Sequence, residues 1–128
     1  MKAETKKHLD KIIRGLKKID DVIAIYLFGS HAKGTQTIKS DIDICVITEQ
    51  DIPIDVEAEI GSTYSDEIDL VIFKNLPLPI KFRVFHEGKE LFVRHERKLA
   101  RIKFATIKEY LDYEPVLRKL TNAILAAR

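Results

Sequence analysis

Gly29-Ser30 closes an apolar run, and ten residues further on comes Ser40-Asp41-Ile42-Asp43. A third acid, Asp69, opens the apolar run Asp69-Leu70-Val71-Ile72-Phe73. On a strand, Asp41 and Asp43 leave the same face, while Ile42 and Ile44 point to the opposite one, toward a core. Two ionised carboxylates held this close repel and raise each other's pKa unless a cation compensates. Magnesium is the natural counter-ion, a hard cation that takes carboxylate oxygens, keeps waters and completes its shell with substrate phosphates. Asp69 on an adjacent strand would allow a second ion roughly 3.5–4 Å from the first. Glycine at 29 lets a triphosphate approach the backbone, and Ser30 adds a hydroxyl donor. Lys33, one helical turn on, is a further candidate phosphate ligand.

These groups converge only if the chain between them folds suitably. Val22–Phe28 reads as a buried strand stopped by Gly29, followed by a helical turn from Ser30 and a polar loop at Gly34–Thr37. Residues 41–48 form a second strand and residues 67–73 a third. If the first two strands are antiparallel neighbours, Gly29-Ser30 meets Asp41 and Asp43. The eighteen residues at 49–66 suffice for a helical crossover, so the third strand should run parallel to the second and bring Asp69 level with Asp41.

Around this centre, Leu9, Ile12, Ile13, Leu16 and Ile19 recur at helical spacing and predict a helix over 3–18. Asp51, Pro53 and Gly61 frame another helix, although Ile52, Ile54, Val56, Ala58 and Ile60 alternate as a strand would. A short helix near 80–85 and a brief strand at 90–93 follow. From His95 to the end the pattern is helical, with Pro115 expected to break or kink it. His31 reads as a turn residue, and His86 and His95 are not spaced as a metal pair. Tyr26, Tyr110 and Tyr113 read as core or interface aromatics.

The chain has 128 residues, 45% of them hydrophobic and 33% charged, the balance of one soluble domain. Its apolar runs fall far below the roughly 20 residues that span a bilayer, and the N-terminus lacks a signal peptide's apolar core. The lone Cys45 rules out an internal disulfide, fits a reducing cytoplasm and reads as a small core residue. Net charge is +2, unevenly spread: residues 41–69 carry ten acids and no Lys or Arg, while 1–19 sum to +5 and 70–128 to +7. The acidic stretch would attract Mg²⁺, and its basic flanks could help hold polyphosphate. Nothing in this pattern resembles a nucleic-acid cleft.

Gly29-Ser30, Asp41-Ile42-Asp43 and Asp69 together resemble the signature of the DNA polymerase β-like nucleotidyltransferase superfamily. The small size is similar to that of its minimal members, the MNT antitoxins of HEPN/MNT toxin–antitoxin pairs. The resemblance lies mostly in residues 22–73, with a less specific likeness over 83–92. It implies an α+β fold with a mixed three-stranded sheet flanked by helices. The whole chain would form one nucleotidyltransferase domain, with a catalytic core at about 20–94 and C-terminal helices at about 95–128. Mg²⁺, as two ions, would be held by Asp41, Asp43 and Asp69, and ATP by Gly29, Ser30 and Lys33. AMP would pass to a hydroxyl, a tyrosine by analogy, on a HEPN-type toxin in a hetero-oligomer, with Asp69 helping to activate the acceptor. Two other readings stay open: an antitoxin that masks its partner by contact through helices at 96–127, and a small-molecule nucleotidyltransferase of the antibiotic-modifying kind.

Overall fold

A computed structural model of the chain describes residues 3–29, 42–63 and 68–126. Helix α1 (Ala3–Lys17) follows the apolar spacing, burying Leu9, Ile12 and Leu16. Glu4 in its first turn and Arg14 and Lys17 in its last complement the helix dipole. Strand β1 (Val22–Phe28) is followed by β2 (Ile42–Thr48), helix α2 (Ile54–Gly61) and β3 (Ile68–Ile72). A 3-10 turn at Phe73–Asn75 leads into α3 (Leu78–Glu87), then β4 (Lys89–Val93) and α4 (Glu96–Ala126).

The sheet is mixed and four-stranded, in the order β3-β2-β1-β4. The expected three strands are therefore joined by a fourth, formed by the brief run near residue 90, which pairs antiparallel with β1. As expected, β1 and β2 are antiparallel and β2 and β3 parallel. Each face of the sheet carries its own core. On one, Ile42, Ile44 and Val46 pack with Leu9, Ile12 and Leu16 of α1 and Ile60 of α2. On the other, Tyr26, Cys45 and Ile47 pack with Val84 and Phe85 of α3 and Leu99 of α4. A register shift between Val22 and Ala24 lets both Ile23 and Ala24 join this second core.

The ambiguous segment at 51–61 is helical, and its strand-like alternation has a simple origin. Ile52, Val56 and Ile60 lie four apart and face the first core, whereas Ile54 is 84% exposed. Pro115 does not break the C-terminal helix: α4 runs through it as one helix of 31 residues. Proline costs an interior helix one hydrogen bond. Nineteen helical residues, 96–114, precede it here, so the helix needs no new nucleus on its far side.

Arg94, just after β4, ties the sheet to α1. Its guanidinium donates to the carbonyls of Val22 (2.9 Å), Ile19 (3.4 Å) and Lys17, and its ring-facing side lies over Phe92. These carbonyls belong to the C-terminal end of α1 and the start of β1, where a cation is doubly favoured. Arg94→Ala should cost about 2 kcal/mol, read as a lower denaturation midpoint at an unchanged m-value. Arg94→Lys should recover only part of that loss, because an ammonium cannot serve three divergent carbonyls with a planar fork. Equal stability of Arg94→Ala and the parent would remove this role.

Candidate nucleotide and metal site

The turn after β1 and the first residues of β2 and β3 lie on one rim of the sheet. Phe28, the last residue of β1, is in register with Asp43, and Asp43 is in register with Asp69. Register partners on adjacent parallel strands share a face, with the strands about 4.8 Å apart. Both carboxylates therefore leave the side of the sheet that also carries Tyr26 and Cys45. Asp43 is half-buried and Asp69 exposed.

The spacing predicts Asp69 level with Asp41; in the structure it is level with Asp43. The reason is the apolar ladder behind the site. Ile42, Ile44 and Val46 pair with Ile68, Leu70 and Ile72, and a slip of two residues would leave one rung of this ladder unmatched.

Gly29 adopts the left-handed region, at φ 79°. A Cβ placed on it would overlap Asp43 Oδ2 and lie 3.3 Å from the carboxyl carbon. The glycine thus both turns the chain and lets the backbone pack against the Asp43 carboxylate. Of the residues singled out in the sequence, the rim brings together Gly29, Asp43 and Asp69; Ser30, Lys33 and Asp41 lie outside the described residues, as does His31. Among the described residues no group of three potential metal-ligating side chains forms. The pair that does form offers hard carboxylate oxygens and no thiol or imidazole, a donor set suited to magnesium rather than to zinc or copper.

Behind the rim the wall is rigid. Tyr26, which reads from sequence as a core or interface aromatic, is buried and meets Phe85 edge to face at 5.5 Å. Its hydroxyl donates to Glu90 Oε1 at 3.0 Å, a partner that only β4 could supply. Burial, reinforced by Glu90, pushes the phenol far above its usual pKa. Cys45 is fully buried, and burial pushes its thiol up to about 12, so it is an inert core residue and no nucleophile. Gly88 fits against the Val84 carbonyl and Tyr26, where a Cβ could not. No signal in the sequence pointed to the Tyr26–Glu90 pair, since it joins residues 64 positions apart.

Glu57, one of the ten acids of the 41–69 stretch, is engaged elsewhere. It accepts from Asn75 at 2.9 Å and pairs with Lys74 at 3.2 Å, which together hold its pKa below the usual carboxylate range. This links α2 to the 3-10 turn, away from the rim.

The profile of a family described as polymerase beta nucleotidyltransferase matches residues 10–97, well over half of the chain. The chain belongs to that family. Membership implies a nucleotide substrate and a divalent cation, in keeping with the paired carboxylates beside the glycine turn. The chain is 29% identical over 111 residues to the protein adenylyltransferase MntA of Shewanella oneidensis, covering 82% of this chain and 80% of that one. It is also 36% identical over 72 residues to a Methanocaldococcus jannaschii protein assigned to the protein adenylyltransferases. That match spans 56% of each chain, so little more than half of the archaeal relative is represented. Among solved structures, the complex of tri-AMPylated S. oneidensis HEPN toxin with MNT antitoxin contains a chain of the same fold. It superposes with a TM-score of 0.67 at 22% identity, covering 94% of this chain and 98% of that one. Among the described residues no helix is long and apolar enough to cross a membrane.

Proposed function

We propose that this nucleotidyltransferase transfers AMP from ATP to a hydroxyl of a HEPN-type partner protein and so acts as its antitoxin. The observation that carries the reading is the register of Asp43 with Asp69 beside the left-handed Gly29 turn. The likeness to MntA and to the antitoxin complex supports the choice of AMP as the group moved and of a protein as its acceptor. The acceptor hydroxyl is a tyrosine by the family resemblance.

In this reading Asp43 and Asp69, joined by Asp41, hold Mg²⁺, as two ions. When bound, the metal supplies charge neutralisation to the triphosphate and to the departing pyrophosphate. Gly29 brings the backbone against the phosphates, with Ser30 and Lys33 as further phosphate donors. The acceptor oxygen attacks the α-phosphorus in line with the bond to the β-phosphate. The new O–P bond forms as the old one breaks, and pyrophosphate leaves. Asp69, the more exposed carboxylate, takes the acceptor's proton. Asp43, half-buried and packed against Gly29, holds position rather than moving protons. The reaction belongs in the cytoplasm, where ATP is abundant and a free thiol such as Cys45 stays reduced.

The test is label transfer onto a co-expressed HEPN-type protein from ATP carrying the isotope at the α- or the γ-phosphate. Label from the α position only, dependent on Mg²⁺, is expected. Label from γ would make the protein a kinase, and label on a small hydroxylated acceptor instead would favour the antibiotic-modifying reading.

A further inference from the structure

Helix α4 lies on the side of the sheet from which Asp43 and Asp69 leave. It packs there through Leu99 and Thr106, both buried, and through Tyr110, which stacks on Phe82 of α3 with ring centroids 4.1 Å apart. The opposite, outward face of the same stretch carries a second seam. Arg97, Arg101, Phe104, Lys108 and Leu111 follow one another in alternating steps of four and three, the repeat of a helix that packs lengthwise on another helix. All five are exposed, Phe104 at 71% and Leu111 at 60%. A single bare apolar side chain would be ordinary on such a face, but two at seam spacing, interleaved with three cations, are a binding pattern.

The charges along the seam decide what covers it. Lys98 is taken by Glu49 at 3.6 Å, and Lys103 lies over the Phe85 ring. Arg97, Arg101 and Lys108 form no ion pair among the described residues. Of the acids of α4, Glu114 is paired with Arg118, and Glu109 is turned about 100° away from Lys108. Glu96 and Asp112 border only the ends of the seam. Three uncompensated positive charges thus line about 16 Å of helix.

A second copy cannot lay the same seam on this one, since cation would meet cation. The exposed acids Asp55 and Glu59 of α2 could meet it only head to tail, building a ring or an open chain rather than a pair. A nucleic-acid strand calls for a groove that tracks its backbone, whereas the seam is a convex ridge. We propose that the outward face of α4 docks an α-helix of the acceptor protein, one whose stripe alternates apolar side chains with Asp or Glu. The inference rests on the reading above that the acceptor is a separate protein, and it sets that protein on the side of the sheet where the carboxylates are.

The test titrates the full chain with the HEPN-type acceptor and measures AMP transfer in parallel. Arg101→Glu combined with Lys108→Glu should weaken binding at least about 100-fold, because carboxylates would then face carboxylates. Phe104→Ala should weaken it at least about 10-fold, as loss of an aromatic anchor does. The parent affinity should fall as salt is raised. In both variants kcat/KM for the acceptor should fall in proportion to affinity, while kcat at saturating acceptor stays within about threefold of the parent, a split that separates docking from chemistry. All three positions are exposed, and circular dichroism will report whether the helix is retained.

Parent-like affinity of either variant, or failure of the parent to bind the acceptor, would overturn the proposal. So would self-association of the chain that the charge reversal abolishes, since a second copy would then cover the face. Binding of a single-stranded RNA oligonucleotide that the charge reversal abolishes would overturn it in favour of a nucleic acid. Asp43→Asn separates the two readings: if parent and Asp43→Asn bind the acceptor equally and neither labels it, the transfer reading fails while the docking surface stands.

Discussion

Asp43→Asn is expected to lower AMP transfer by at least about 10³-fold while leaving the fold intact. The side chain sits at the start of β2, with Phe28 on one side and Asp69 on the other, where its own strand is pinned by the fully buried Ile42 and Ile44. Asparagine preserves the shape and removes the charge. A divalent cation between the carboxylates and a triphosphate contributes several kcal/mol of charge stabilisation, and each 1.36 kcal/mol is a factor of ten in rate. The apparent Mg²⁺ requirement should rise together with the loss of rate. Thermal denaturation should be nearly unchanged without metal, because relieving the repulsion between Asp43 and Asp69 offsets any lost polar contact. A variant that retains a tenth of the parent rate would exclude Asp43 as a metal ligand.

Gly29→Ala should be nearly as damaging, for a different reason. An L-residue at φ 79° is strained by roughly 1–2 kcal/mol. The added methyl would also occupy the space of the Asp43 carboxylate, whose carboxyl carbon lies 3.3 Å from the built Cβ. Either the turn opens or the carboxylate moves, and a displacement on the order of 1 Å costs about 100-fold in a positioned reaction. The expected result is a fall in transfer of about 100-fold or more together with a loss of about 1–2 kcal/mol of stability. Gly61→Ala is the control: no atom lies within 4 Å of its added Cβ, so stability and activity should both hold. Parent-like transfer by Gly29→Ala would mean that the tight approach to Asp43 has no part in the reaction.

The two variants probe different things about one rim. In the proposed reaction Asp43 would supply charge and Gly29 the absence of a side chain, and both depend on the strand register that sets them side by side. That register comes from residues on the far face of the sheet. Ile42, Ile44, Val46, Ile68 and Leu70 take no part in the site, yet a slip in their ladder would carry Asp69 away from Asp43.

Much of this was legible in the residues themselves. The alternation of acids with isoleucines at 41–44 shows which side chains share a face, because the side-chain period of a strand is fixed by its covalent geometry. Glycine at the end of an apolar run marks a turn that other residues avoid, and Gly29 is indeed left-handed. The crossover length between β2 and β3 predicts their parallel pairing. The pattern Leu9, Ile12, Leu16 predicts α1, since a 3.6-residue period needs only local sequence to be seen.

Other features depended on contacts between distant segments. The level of Asp69 against Asp43 is settled by how completely two apolar ladders overlap, which no single segment encodes. The fourth strand joins the sheet because the backbone of β1 had an unpaired edge, and the brief run near residue 90 reached it. The Tyr26–Glu90 hydrogen bond exists only because that strand is there. The course of α4 through Pro115 likewise shows local propensity yielding to a helix already established by packing of its first half. Local chemistry and periodicity are carried by neighbouring residues, so the sequence by itself determined which groups could act and which way they face. Register, edge pairing and the covering of a helix face are decided by whichever distant surfaces bury best, and those only the tertiary structure could decide.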